Sequence, residues 1–174
     1  MFKRIAIAIV VLIAGVLLYA STRPDNYHVE RSVLIKAAPD KIFAYINDFH
    51  RWDEWTPYNK DPAMKKTYSG SASGKGARYA WEGNRDVGQG EITLADSTLP
   101  SKLVFDLHMM KPFEGRNVAS FSLAAAGDAT RVTWSLDDKH NLFLKTLTLF
   151  MNMDSMIGKD FEVGLARLKT AAEK

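Results

Sequence analysis

Ala77-Arg78-Tyr79-Ala80-Trp81-Glu82-Gly83-Asn84 sets two large aromatic rings two residues apart and then closes on a turn. A repeat of two is that of a pleated strand, in which alternate side chains share a face. Glu82-Gly83-Asn84 supplies the residues that end it. The same alternation carries Phe105, Phe121 and Trp134 into later runs, so one face of a sheet is lined with rings.

Working outward, strand-like runs cover about 65–71, 77–84, 89–96, 102–110, 116–124 and 130–137. They are separated by the Gly/Ser-rich stretch from Gly70 to Gly76, by the turn at 82–84 and by the hairpin-like tip Ala126-Gly127-Asp128. Before them, 27–36 reads as a first strand, with Val29, Val33 and Ile35 on one parity. Ala38-Pro39-Asp40 opens a helix with Pro near its first position and an acid in its first turn; Ile42, Phe43 and Ile46 form its apolar face. A short helical segment at 49–55 follows and stops before Thr56-Pro57. After the last strand, 141–172 is apolar at helical spacing through Leu147, Phe150, Met153, Ile157, Phe161, Leu165 and Leu168, which predicts one long helix. Gly158 and Gly164 mark a kink or a close contact within it. The order of strand, two helices, six strands and long helix, with sequential antiparallel strands and the helices segregated to one side, indicates an α+β domain.

Residues 1–20 form a separate segment. Lys3-Arg4 precedes an uncharged run of Ile, Val, Leu and Ala from Ile5 to Ala20, with Tyr19 suited to a membrane interface. An N-terminal transmembrane helix is expected through residues 5–20, then a linker at 21–26 and the folded domain at 27–174. The positive flank keeps the N-terminus cytoplasmic and places the domain on the extracytoplasmic (periplasmic) side. The alternative is a signal-like segment cleaved after Ala20, giving a secreted protein; Leu18 at the −3 position is large for such a site.

Composition narrows the function classes. The net charge of +3 falls to about +1 once Lys3 and Arg4 are set aside, and the remaining charges form no basic cluster, so no nucleic-acid partner is expected. The absence of cysteine excludes disulfides, thiolate catalysis and Cys-ligated zinc. His28, His50, His108 and His140 lack metal-ligand spacing. No G-x-S-x-G, dinucleotide fingerprint or P-loop occurs, and Gly83, Gly88 and Gly90 read as hairpin-turn glycines. No metal and no cofactor is called for.

Several stretches resemble the SRPBCC superfamily, also described as START-like or polyketide cyclase/dehydrase-like, with its helix-grip fold. They are Ile35-Lys36-Ala37-Ala38-Pro39, Phe49-His50-Arg51-Trp52-Asp53-Glu54-Trp55-Thr56-Pro57, Tyr79-Ala80-Trp81-Glu82-Gly83-Asn84, Thr130-Arg131-Val132-Thr133-Trp134 and Gly158-Lys159-Asp160-Phe161-Glu162-Val163-Gly164-Leu165. The resemblance spans about 27–172. It implies a helix-grip fold, a curved seven-stranded antiparallel sheet wrapped on the long C-terminal helix with a hydrophobic cavity between them, in a superfamily that ranges from lipid carriers to cyclases.

The expected ligand-binding residues are Trp55, Tyr79, Trp81, Phe105, Phe121, Trp134, Phe150, Met153 and Ile157, with Met156 as further adaptable lining. Each is also the kind of residue that simply packs a core. Trp52 and Trp55, three apart on one face, cap the open end of the sheet or form a lip near Pro57 and Tyr58. Asp154, at the edge of the inward face of the helix, is the one candidate acid/base. The expected function is a membrane-tethered binding protein for a hydrophobic small molecule or lipid. The alternatives are a cyclase, dehydratase or hydrolase using the same pocket, and a protein-interaction module at the membrane.

Overall fold

Alternating β-branched and aromatic residues need a partner for one face, and the chain provides it by folding its strands across a helix. The structure, a computed structural model, describes residues 2–174. Seven strands make one antiparallel sheet: β1 (Asn26–Ile35), β2 (Lys65–Gly70), β3 (Ala77–Glu82), β4 (Gln89–Thr98), β5 (Lys102–Lys111), β6 (Gly115–Ala126) and β7 (Ala129–Lys139). Their order is β1-β7-β6-β5-β4-β3-β2, so neighbours in sequence pair as hairpins while β1 returns beside β7. Four α-helices accompany it: α1 (Phe2–Ser21), α2 (Pro39–Asn47), α3 (Leu142–Thr148) and α4 (Met153–Ala172), with a 3-10 helix at Phe49–Glu54 between α2 and β2.

The core lies between the concave face of the sheet and α2 and α4. Ile35, Leu94, Leu103 and Val132 from the strands meet Ile42 and Ile46 of α2 and Leu165 and Leu168 of α4, all fully buried. α4 runs along β1 and touches β7, which leaves the β3–β5 half of the concave face uncovered by it.

The expected single helix over 141–172 is interrupted. α3 starts at Asn141, whose side chain accepts from Leu144 N, and α4 restarts at Asn152, whose side chain accepts from Ser155 N. Two asparagine caps within one apolar run set two helix starts, a local competition that apolar spacing does not register. Gly158 and Gly164 produce no break. They are places where a β-carbon does not fit: one at Gly158 would lie 2.1 Å from Arg31 Nη2, and one at Gly164 2.8 Å from Trp134 Cζ3. Gly90 also differs from the expectation of a turn glycine. It lies inside β4 opposite Trp81, where a β-carbon would lie 2.5 Å from the indole, so its bareness lets that ring lie across the strand. Gly88, beside it, is the true turn glycine, with φ +65°.

α1 is a 20-residue helix with a mean hydropathy of 2.3 over its most apolar 18 residues, and almost all of it is exposed. At ~1.5 Å per residue it reaches ~30 Å, the thickness of a hydrocarbon core. Its last turn is tied to the domain: Ala20 is buried and the helix lies against α3.

Candidate functional site

The site begins at the C-terminal end of α2. The last carbonyls of a helix lack partners inside it. Here two indoles serve them: Trp52 Nε1 donates to Ile46 O (2.9 Å) and Trp55 Nε1 to Tyr45 O (3.1 Å). Asp48 caps the 3-10 helix that carries both rings by accepting from His50 N. The two rings, 5.3 Å apart, are thereby hung over the concave face of the sheet.

Beneath them lies a cavity of about 300 Å³ between sheet, 3-10 helix and α4. Tyr79 and Trp81 of β3, Phe105 of β5, Phe121 of β6, Trp134 of β7 and Ile157 of α4 all line it. Three other expected ligand-binding residues lie elsewhere. Trp55 is fully buried behind the wall, edge-on to Phe121 and Trp134, where it supports both rings; Trp52 takes the place on the lining. Phe150 is 75% exposed and Met153 half-buried, and both belong to a different depression of about 460 Å³ at the α3–α4 break. That depression is shallow and open to solvent, whereas the sheet–helix cavity is more enclosed and mostly apolar, the type of space that holds a small ligand. The helix interruption is the physical reason: with α4 beginning at Met153, the preceding turn swings Phe150 away from the sheet.

Asp154 also lies outside the cavity. It is exposed and pairs with Arg31, Oδ2 to Nη2 at 2.9 Å, and this bond holds its carboxyl below the usual range. A raised proton affinity was the condition for an acid/base role, and the pairing shifts it the opposite way.

The polar groups that do reach the cavity are few. Asp53 is engaged by Lys66 and Asn59; burial works to raise its carboxyl, but those bonds together bring it below the ordinary value. The Tyr79 hydroxyl is raised, by burial first and then by Tyr68 and Asp53, so it stays protonated and able to donate.

A further polar group was not anticipated from sequence. Tyr79, Ile92, Leu107, Asn117, Asp138 and Tyr27 form one row across the sheet, each opposite the next in register. The row turns polar where it leaves the cavity. Asn117 lines the cavity, and with its amide oriented to donate, its nitrogen lies 2.8 and 3.1 Å from the two Asp138 carboxylate oxygens. His140 Nε2 is 3.5 Å from the same carboxylate, and its ring stacks on Tyr27 with centroids 4.7 Å apart. Burial, with Asp154 adding to it, pushes the Tyr27 hydroxyl up to about 12; that oxygen and Trp134 Nε1 are buried without a partner. Parity held the signal, since Asn117 shares a face with Ala119 and Phe121, and Asp138 with Leu136 and Trp134. Among the described residues, no three His, Asp or Glu side chains converge as metal ligands.

The arrangement is that of known structures. The Aha1 dimer from Colwellia psychrerythraea superposes with a TM-score of 0.62 at 18% identity, over 84% of this chain and 96% of that one. Major latex-like protein 151 from Panax ginseng does so with a TM-score of 0.63 at 14% identity, over 87% of this chain and all of its own. At such identities the likeness establishes the fold alone. No curated protein matches the chain. Residues 27–173 match the family described as polyketide cyclase / dehydrase and lipid transport, and with the seven-stranded sheet gripping α4, the chain belongs to that family, within the SRPBCC superfamily.

Proposed function

We propose that the protein is a membrane-tethered carrier or sensor that holds a hydrophobic small molecule or lipid in the sheet–helix cavity. The partly enclosed, largely apolar space of about 300 Å³ under Trp52 carries this reading, because a domain that merely packed its core would close most of such a space. Burying an apolar ligand there is worth ~25 cal/mol per Å² of surface removed from water, without any charged recognition group. Native mass spectrometry of the full chain in detergent is the direct test. A retained apolar molecule is expected in the wild type and not in Ala119→Phe, whose new ring occupies the cavity. Uniformly empty protein that also ignores fluorescent apolar probes would end the proposal.

Tethering is supported by the length of α1 and by its packing against α3, which makes its end part of the domain. The expected orientation puts the domain on the extracytoplasmic side; a reporter fused at Lys174 that works only in the cytoplasm would reverse it. If the segment were instead cleaved after Ala20, the mature chain would begin at Ser21, which N-terminal sequencing reads directly.

A second reading, an acid/base enzyme of cyclase or dehydratase type, is favoured by Asn117, Asp138 and His140 at the cavity end. In it Asp138 orients the Asn117 amide at the cavity edge, so that Asn117 can hydrogen-bond a substrate while the pocket shapes it. Asp138→Asn keeps the shape and removes the charge, so a conversion that survives it does not depend on that carboxylate. Nothing comparable supports an interaction module at the Trp52–Tyr58 lip: of its rings, Trp55 is buried, Trp52 is half-buried, and only Tyr58 is exposed.

A further inference from the structure

We propose that the domain lies flat against the bilayer through a phenylalanine-rich face built from α3, the α3–α4 break and the β5–β6 turn. This rests on the tethered reading of α1 and adds a second, independent membrane contact.

The distribution of phenylalanine points to it. The chain has nine, of which Phe43, Phe49, Phe105, Phe121 and Phe161 are buried, and Phe2 lies in α1. The remaining three, Phe113, Phe143 and Phe150, are 54%, 57% and 75% exposed. Every exposed phenylalanine among the described residues therefore belongs to the apolar helix or to this one face. Leu142 and Met151 extend it.

The face is continuous. The Phe113 and Phe143 rings are 5.7 Å apart. Phe150 follows α3 by two residues, in the turn that Phe150 N and Met151 N close on Leu147 O at 3.1 and 3.2 Å, so its exposed ring stays at the end of the same helix. On α3 itself the charge has been withdrawn. Lys145 is the one charged residue in α3; it is buried and its ammonium pairs with Asp25. An isolated surface helix would keep that lysine in water. Here it is turned inward, and the outer surface of α3 carries no charge.

The same ion pair sets the position of the face. Asp25 follows α1 by four residues, and its carbonyl also accepts from His140 N at 2.7 Å. Two bonds to one residue hold α3 beside the point where α1 leaves the domain, and α1 lies against α3. A helix that crosses the bilayer there delivers the three rings to the headgroup boundary, where aromatic and aliphatic side chains on an uncharged helix face partition favourably. A large apolar patch at that place has a bilayer within reach by construction, whereas a protein partner would have to share the same gap. The open depression at the α3–α4 break shares Phe150 and Met151 with this face.

The chain contains no cysteine, so single cysteines at chosen sites can each carry one spin label. Full-length Phe143→Cys, Phe150→Cys, Val11→Cys and Asp128→Cys, the last at the far end of the β6–β7 hairpin, would be labelled and reconstituted into phosphatidylcholine/phosphatidylglycerol vesicles. Relaxation by oxygen, which concentrates in lipid, is compared with relaxation by a water-soluble nickel chelate. Labels at 143 and 150 are expected to favour oxygen severalfold over the label at 128, as the label at 11 does. If 143 and 150 match 128 while 11 remains in lipid, the tether stands and the docking face is wrong. Spin–spin broadening at 143 would assign the face to a second copy and overturn the proposal equally. A water-exposed label at 11 would instead remove the tether itself.

Discussion

Trp134 of β7 lies flat on Phe161 of α4, with ring centroids 4.0 Å apart and planes 9° from parallel. Phe121, opposite Trp134 in the β6–β7 register, also stacks on it at 4.8 Å. Three rings thus join sheet and helix in one column, and all three line the cavity. The grip and the binding wall are the same residues. Phe161→Ala is expected to destabilise the domain by ~3–5 kcal/mol, as for a buried ring whose neighbours cannot collapse into the void. A urea midpoint unchanged from the wild type would show that this column does not hold α4.

Gly158 and Gly164 are expected to respond differently to alanine. Each gains ~1 kcal/mol of helix propensity. At Gly164 the new methyl meets Trp134 Cζ3 at 2.8 Å and Pro57 Cδ at 3.0 Å, both in rigid rings, so Gly164→Ala should lower stability despite the propensity gain. At Gly158 it meets the guanidinium of Arg31, the movable end of a long side chain, and only exposed ion pairs with Asp154 and Glu162 are lost. Gly158→Ala should be close to neutral in a denaturation experiment. A reversed order would mean that the Arg31 pairs matter more than the Trp134 column.

Tyr27→Phe is expected to stabilise the protein by ~1 kcal/mol. Its hydroxyl is buried without a partner, and removing an unpaired buried group returns its desolvation cost. Destabilisation would show that the oxygen has a partner in solution, through water or a ligand.

Acid should loosen the attachment of α4. The Arg31 bond lowers Asp154, and the Lys169 bond, with the Lys36 amide, lowers Glu173. A carboxyl whose folded value is depressed contributes stability that is complete above its ordinary value and is lost as pH falls through the folded one. The loss therefore falls below the ordinary values of 3.8 and 4.5, and it is small because both groups are exposed and screened by salt. Arg31→Gln should flatten that part of a melting-temperature profile; an unchanged slope would assign the acid sensitivity to other groups.

The strand runs, the turns between them and the helix that follows were readable because period-two and period-3.6 patterns are local. Residue spacing therefore put Tyr79, Trp81, Phe105, Phe121 and Trp134 on alternating strand positions, and the family resemblance turned that face toward α4. Helical spacing misled at Phe150 and Met153, since Asn152 caps a new helix between apolar residues that keep the same period. Asn117, Asp138, His140 and Tyr27 meet only through the register of β6, β7 and β1, and no single stretch of chain contains that row.

The amino-acid sequence by itself determined the α+β order, the apolar lining of one sheet face and the apolar N-terminal helix, each a matter of which neighbours repeat along the chain. The tertiary structure alone decided which rings border the void, that Arg31 draws Asp154 away from it, and that burial of Lys145 against Asp25 leaves α3 uncharged and its phenylalanines exposed. The two ion pairs join residues more than 100 positions apart, and the rings meet across separate strands and α4, so register and burial, rather than local preference, set the lowest free energy.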